Sequence, residues 1–400
     1  MILLSGAQAS GTEIRSGGGL HVYSGAIADS TTVYQGGIFG VGDGAVVRNT
    51  TIDIYGELKV WGGGLAADSV ISSGGAIILL DNADADGTVI SSGGGLHVYS
   101  GARASRTLVN QGGYFGVGGG ANVVSTTVGM AGQVTVWGGG YAADNVIETW
   151  GAMILSSGAR ADRTDIHASG GLHIYAGAQA DAVTIRDGAT LGIGGGGKVN
   201  GVTEEHGAGM VFYEGSLVSG RIQMGGTVTV NGILDGSGAL FVFDLSSRTF
   251  GDGIILNSMG AVSGANYQIS LSGLEASGQY ALAGGASGFT GSMTVSVGSV
   301  TAGSVTVGGP SLLYGDLSCS LLRSGDTLLF DLARIESLSG RLLEPEDPFC
   351  GIPVSLEPAD SGISGLDDPL NFGDAADCSL CDTDLLKFGP AGNTLNAMLA

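Results

Sequence analysis

The sequence predicts an all-β fold, a parallel β-helix of about twelve stacked coils, on three observations. A glycine recurs every 19 residues at Gly6, Gly25, Gly44, Gly63, Gly101, Gly120, Gly139, Gly158, Gly177, Gly196 and Gly215, with Asn82 at the one remaining slot. Aliphatic and threonine columns keep the same phase. No proline occurs before Pro310. A fixed period near 20 residues marks a solenoid, in which each repeat is one coil stacked on its neighbours. Asn is the next-best residue after Gly where the backbone needs φ > 0, so position 82 keeps the rule.

Each element of the coil follows from a column. Small residues after the turn (Ala9, Ala28, Ala66, Ala85, Ala104, Ala142, Ala161, Ala180) allow a tight third side. A short Thr-x-Ile/Val strand comes next. Its threonine column is Thr12, Thr31, Thr50, Ser69, Thr88, Thr107, Thr126, Asn145 and Thr164, and its aliphatic column runs from Ile14 and Val33 to Ile185. Residues two apart in a strand share a face, so the threonine row packs with the aliphatic row or forms a hydroxyl ladder. Glycines at Gly18, Gly37, Gly56, Gly75, Gly94, Gly113, Gly132, Gly151 and Gly170 then separate this strand from a second one. That strand carries the columns Leu20, Phe39, Leu58 to Met210 and Val22, Val41, Val60 to Phe212. Period two within a strand and 19 between strands stacks like side chains into a narrow core. Proline would remove a ladder hydrogen bond from a coil paired on both sides. At about 4.8 Å per coil, twelve coils make a rod of roughly 58 Å. With 77 glycines in 400 residues, recurring inside every unit, a helical reading fails.

A larger period lies on top. SGGGLHVYSGA occurs at residues 16–26 and 92–102, and SGGLHIYAGA at 169–178. His21, His97 and His173 are 76 residues, or four coils, apart; Tyr23, Tyr99 and Tyr175 keep the step, as do Trp61 and Trp137. Duplication of a four-coil block explains this and places one His-x-Tyr pair per block on the outer face. The pairs are too far apart to share a metal. They read either as an inherited surface pair or, joined by the tryptophans, as an aromatic contact stripe for glycans or a neighbouring rod.

Composition narrows the partners. A net charge of −22 argues against nucleic acid and anionic membranes. No stretch of 18 apolar residues exists to span a membrane as a helix. The start, MILLSGAQASG, has no basic segment and enters the repeat at once, so it does not read as a signal peptide and the chain reads as a fragment or one with a misplaced start. The phase is lost after about residue 232. Residues 233–340 remain strand-rich and read as a β-rich cap or second β domain; residues 341–400 hold six of the seven prolines and eleven Asp/Glu, which reads as a flexible acidic tail. The cysteines lie late, at Cys319, Cys350, Cys378 and Cys381; Cys378-x-x-Cys381 lacks a nearby histidine and reads as a disulfide or free thiols.

No catalytic, cofactor or metal residues are expected. GIGGGGK at 192–198 matches the start of a phosphate loop, but Val199 stands where a hydroxyl is needed. A polysaccharide-cleaving enzyme needs acids gathered on adjacent coils, whereas Asp53, Asp68, Asp84, Asp144 and Asp165 scatter across columns. A passive surface spacer is a further reading.

The unit Ser/Gly-Gly-Ala-x-Ala-x-x-Thr-x-Ile/Val-x-x-Gly-Gly-x-Leu-x-Ile/Val-x, seen whole in residues 5–23 (SGAQASGTEIRSGGGLHVY), resembles the 19-residue repeat of AIDA-type autotransporter adhesins of Gram-negative bacteria. The resemblance covers residues 5 to about 232. It implies a right-handed β-helix displayed on the cell surface or secreted, with roles in adhesion, autoaggregation and biofilm. Partners would be other copies of the chain or host and cell-surface glycans and proteins. Membrane attachment would come only through a translocator absent from this chain. Members of the family are often modified by heptose on repeat serines; by position the candidates are Ser16, Ser24, Ser73, Ser92, Ser100 and Ser157.

Overall fold

The computed structural model describes residues 1–335 apart from 5 and 100; the acidic tail, with Cys350, Cys378 and Cys381, lies outside them. The chain forms a parallel β-solenoid. One wall is a sheet of thirteen strands in strict chain order, from Ile2–Leu3 through Gly19–Val22 and Ile38–Val41 to Thr227–Asn231. Register follows the repeat: Leu20 pairs with Phe39, Phe39 with Leu58, and Leu58 with Ile77. Each coil therefore lays every column over the same column of the coil before.

The sequence gives two strands and a corner per coil, and the structure has three strand segments. Gln8–Ser10, Ile27–Asp29 and their successors make a short strand from the corner, with alanine pointing inward. The small side chain lets this wall approach the core closely, and Ala28, Ala66 and Ala142 are fully buried. A hinge joins it to the Thr-x-Ile/Val strand. The hinge residue has positive φ in every coil: Gly11, Ser30, Asn49, Asp68, Gly87, Arg106, Ser125, Asp144, Arg163, Ala182, Gly201 and Gly220. Its N–H donates to the next coil, as from Ser30 to the Arg48 carbonyl at 3.1 Å and from Asp68 to the Asp86 carbonyl at 2.8 Å. That ladder holds a left-handed conformation that costs an L-residue roughly 1–2 kcal/mol. From Arg103–Val109 onward the two segments run together as seven-residue strands.

The interior is filled by the stacked columns. Phe39, Phe115 and Phe212 are fully buried among Leu20, Val22, Leu58 and their equivalents. The threonine row faces inward: Thr31, Thr50, Thr88, Thr107 and Thr126 are buried, and their hydroxyls have no hydrogen-bond partner. Packing, not a hydroxyl ladder, is thus what the row does. Only Asn145 reaches along it, donating to Thr164 Oγ1 at 3.4 Å.

The buried apolar column is broken at one position, between Ile185 and Met224. Position 204, in register with Ile185, is glutamate, 1% exposed. Its Oε2 accepts from the Gly226 N–H at 3.2 Å and its Oε1 has no partner. Burial pushes the carboxyl up to about 8 against the opposing pull of that hydrogen bond and of Arg248. Arg248 is itself buried and donates to the carbonyls of Gly225 and Gly226, each at 3.0 Å.

The 19-residue step holds as far as the pairing of Asn200 with Ser219; beyond it Val202 pairs with Ile222 and Gly209 with Thr227, and parallel pairing runs on. Gly220 to Met224 pair with Ala239 to Phe243, the strand Ala239–Asp244 with Asn266–Leu271, and that strand with Ser292–Val297. Direction then reverses. Ser292–Val297 pairs antiparallel with Val300–Thr306, and Gly278–Ala283, Thr327–Arg334, Leu317–Ser324 and Leu312–Tyr314 form a four-stranded antiparallel sheet. Cys319 is buried there and forms no disulfide among the described residues.

Candidate functional site

The outer face of the thirteen-stranded wall carries the His-x-Tyr pairs. Strand alternation puts His21 outward between inward Leu20 and Val22, and Tyr23 follows at the strand's end. The rings of His21 and Tyr23 stack, 6.1 Å between centroids and 8° apart. Trp61, two coils on, meets Tyr23 edge-on at 6.0 Å and 66°. The second block repeats this geometry: His97 and Tyr99 stack at 6.2 Å and 6°, and Tyr99 meets Trp137 at 6.0 Å and 65°. Tyr114 adds a further ring, 5.6 Å from His97.

The intervening coil makes this possible. Its outward positions are Gly40 and Gly42 in the first block and Gly116 and Gly118 in the second. A methyl group at Gly42 would stand 2.6 Å from Trp61 Nε1, and one at Gly118 would stand 2.6 Å from Trp137 Nε1. Only residues without a Cβ let the indole lie across the coil. All four glycines are buried beneath it, and the His and Tyr rings beside it are half-buried.

Burial lowers the affinity of His97 for a proton. The Trp137 ring and the His97 imidazole flank Gly116 together. Trp137→Ala removes that cover, so the His97 pKa is expected to rise toward the ordinary value of 6.5. Titration of the imidazole by NMR checks this, and an unmoved pKa would assign the burial to Tyr99 and Tyr114 instead.

The structure thus gathers His21, Tyr23 and Trp61 into one cluster and His97, Tyr99 and Trp137 into another. It does not do so in the third block: His173 is exposed, and Tyr175 is 52% exposed. Of the serines, Ser16, Ser24, Ser73, Ser92 and Ser157 are exposed in turns, and Ser100 lies outside the described residues. The paired glycines and Tyr114 escaped the sequence reading. The signal of the glycines is the same 76-residue step, at Gly40, Gly116 and Gly192 and at Gly42, Gly118 and Gly194; Tyr114 has none, since Ile38 and Thr190 stand at its equivalents.

The charged residues of the coils form cross-coil ladders. Arg163 bonds Asp144 at 2.6 Å, and Arg186 bridges Asp165 at 2.8 Å and Glu205 at 2.7 Å. Hydrogen bonds from these guanidinium groups hold Asp144 and Asp165 below the usual carboxylate range. The described residues contain no cluster of three or more His, Cys, Asp or Glu fit for a metal ion, and no helix long and apolar enough to cross a membrane.

No protein-family model and no curated protein matches the chain. Fold and surface define a class: β-solenoids of 19-residue coils that present a repetitive outer wall. Among solved structures, the chain is similar to a fragment of TibA, residues 55–350, hyper-glycosylated by TibC. Identity is 31% and the TM-score 0.53, with 60% of this chain and 90% of the fragment covered. The chain belongs to the family of that TibA fragment.

Proposed function

We propose that the chain is the passenger of a surface-displayed or secreted adhesin, of the AIDA-type autotransporter kind, that makes adhesive contacts through its outer wall. The observation that carries this reading is the aromatic cluster that occurs twice, four coils apart, on one wall of a scaffold that is otherwise a stacked core. Weak contacts repeated along a rod multiply into avidity without any single strong site. The family relation to a TibA fragment supports the passenger assignment. That fragment is hyper-glycosylated, and by analogy the exposed Ser16, Ser24, Ser73, Ser92 and Ser157 are this chain's candidate acceptors, with Ser100 by sequence. Partners are other copies of the chain or cell-surface glycans and proteins. The reading invokes no cofactor and no catalytic step; of the acids weighed above, Asp144 and Asp165 are engaged in ladders with Arg163 and Arg186.

Display of the chain on a non-adherent bacterium tests the reading. Displayed cells are expected to clump or to bind surfaces, and Tyr23→Ser with Tyr99→Ser and Tyr175→Ser to reduce this several-fold without loss of β-structure. Dispersed, non-adherent cells at full display would sink it.

A further inference from the structure

The third four-coil block repeats the floor of the aromatic clusters and omits the lid. Gly192 and Gly194 occupy the positions of Gly40 and Gly42, and His173 and Tyr175 those of His21 and Tyr23. Where Trp61 and Trp137 stand in the first two blocks, the third has Tyr213. The consequence is visible in burial. The glycines are buried under indole in the first two blocks and only half-buried in the third. His173 is exposed where His21 and His97 are not, and Tyr175 and Tyr213 are 52% and 51% exposed. A methyl group at Gly194 would meet nothing closer than Tyr175, 3.8 Å away, apart from the backbone carbonyl of Ile174 at 3.3 Å. The block is therefore a glycine-floored slot with Tyr175 on one side and Tyr213 on the other. They stand two coils apart, about 10 Å.

The chain itself shows what such a slot holds, because the same floor takes an indole ring twice. It has three tryptophans. Two fill slots; the third, Trp150, is 66% exposed at a turn with φ of 62°, a conformation that strains any L-residue. Trp150 cannot reach the slot of its own chain. Its turn precedes the wall strand, the slot lies at the strand's far end, and a four-residue strand separates them by about 13 Å, beyond a side chain's reach.

We propose that the slot formed by His173, Tyr175, Gly192, Gly194 and Tyr213 is a binding site for an indole-sized aromatic ring, and that its occupant is Trp150 of a second copy of this chain. The area sets the strength. One inserted tryptophan buries roughly 150–250 Å². A reciprocal exchange doubles that and still falls well short of the ~1,200 Å² of a stable dimer. The contact is weak in solution and gains its effect when many rods stand side by side. The inference rests on the adhesin reading for its setting, but not for its test.

The test uses the full chain in sedimentation equilibrium up to millimolar concentration, with two variants. Trp150→Ala removes the ring, and Tyr213→Trp supplies a lid in cis on the pattern of Trp61. Both are expected to weaken self-association at least tenfold while leaving the circular dichroism unchanged. Free indole separates slot from occupant: it should bind Trp150→Ala, with its slot open, and not Tyr213→Trp. A native chain that stays monomeric, or a Trp150→Ala chain that associates as the native one does, overturns the proposal. So does failure of indole to bind, or binding of a methyl glycoside in its place. Displayed native cells that remain dispersed would instead refute the adhesin reading, whatever the slot binds.

Discussion

Glu204→Gln is expected to stabilise the solenoid by roughly 3 kcal/mol at pH 7, and to change little at pH 4.5. Glu204 sits in the core at an aliphatic position, with one carboxylate oxygen unpartnered and the other accepting from Gly226. The charged groups facing it are Arg248, engaged with backbone carbonyls, and beyond Arg248 the pair His206 and Asp252, 3.6 Å apart. Burial dominates and raises the carboxyl from the ordinary value of 4.5 to about 8. The fold therefore prefers the protonated form. Below pH 4.5 both folded and unfolded chains carry the proton, and the residue does no harm. Between 4.5 and about 8 the unfolded chain releases the proton and the folded chain keeps it, so stability falls by about 1.4 kcal/mol per pH unit. Above about 8 the loss levels off. Denaturant unfolding of both proteins at pH 4.5, 6 and 8 checks this. A difference between them that is flat across pH would show that Glu204 is not held neutral.

Gly132→Ala is expected to cost roughly 3 kcal/mol or more, and Gly120→Ala only about 1 kcal/mol. The two glycines look alike in the repeat and act through different physics. At Gly132 an added Cβ would stand 2.5 Å from the Val109 carbonyl of the coil before, which already accepts from the Gly129 N–H at 2.8 Å. Neither backbone can move without prising two coils apart, so overpacking adds to loss of ladder hydrogen bonds. At Gly120, φ is 75° and nothing lies within 4 Å of the added methyl, so strain at one residue is the whole effect. Paired unfolding midpoints measure the contrast. Equal losses would mean that coil spacing is softer than the ladder implies.

The coil was legible because identical positions stack. Gly25, Val33, Leu20 and Val22 each repeat a chemical type at fixed period, and such columns carry over directly into register and core. The hinge column was not. Ser30, Asn49, Arg106 and Ala182 share a positive φ and little else, since the ladder to the next coil fixes their backbone whatever the side chain. The aromatic stripe was half legible. His21, Tyr23 and Trp61 were readable as surface residues of one phase, but their convergence depends on Gly40 and Gly42 in the coil between them. Glycines are so common in this chain that these two signal nothing alone. Glu204 was missed for a different reason: a single charged residue in a long aliphatic row reads as the end of the row, not as a buried carboxyl.

The reversal of strand direction at Ser292–Val297 and Val300–Thr306 bears on how molecules can meet. A surface that copies its own pattern thirteen times invites another molecule to continue the copying at its tip, as fibrils do. Here the strands beyond the last parallel rung pair antiparallel, so they do not repeat the pairing that joins coil to coil. The stack of parallel rungs is thus followed, among the described residues, by an edge of a different kind from the one each coil offers the next.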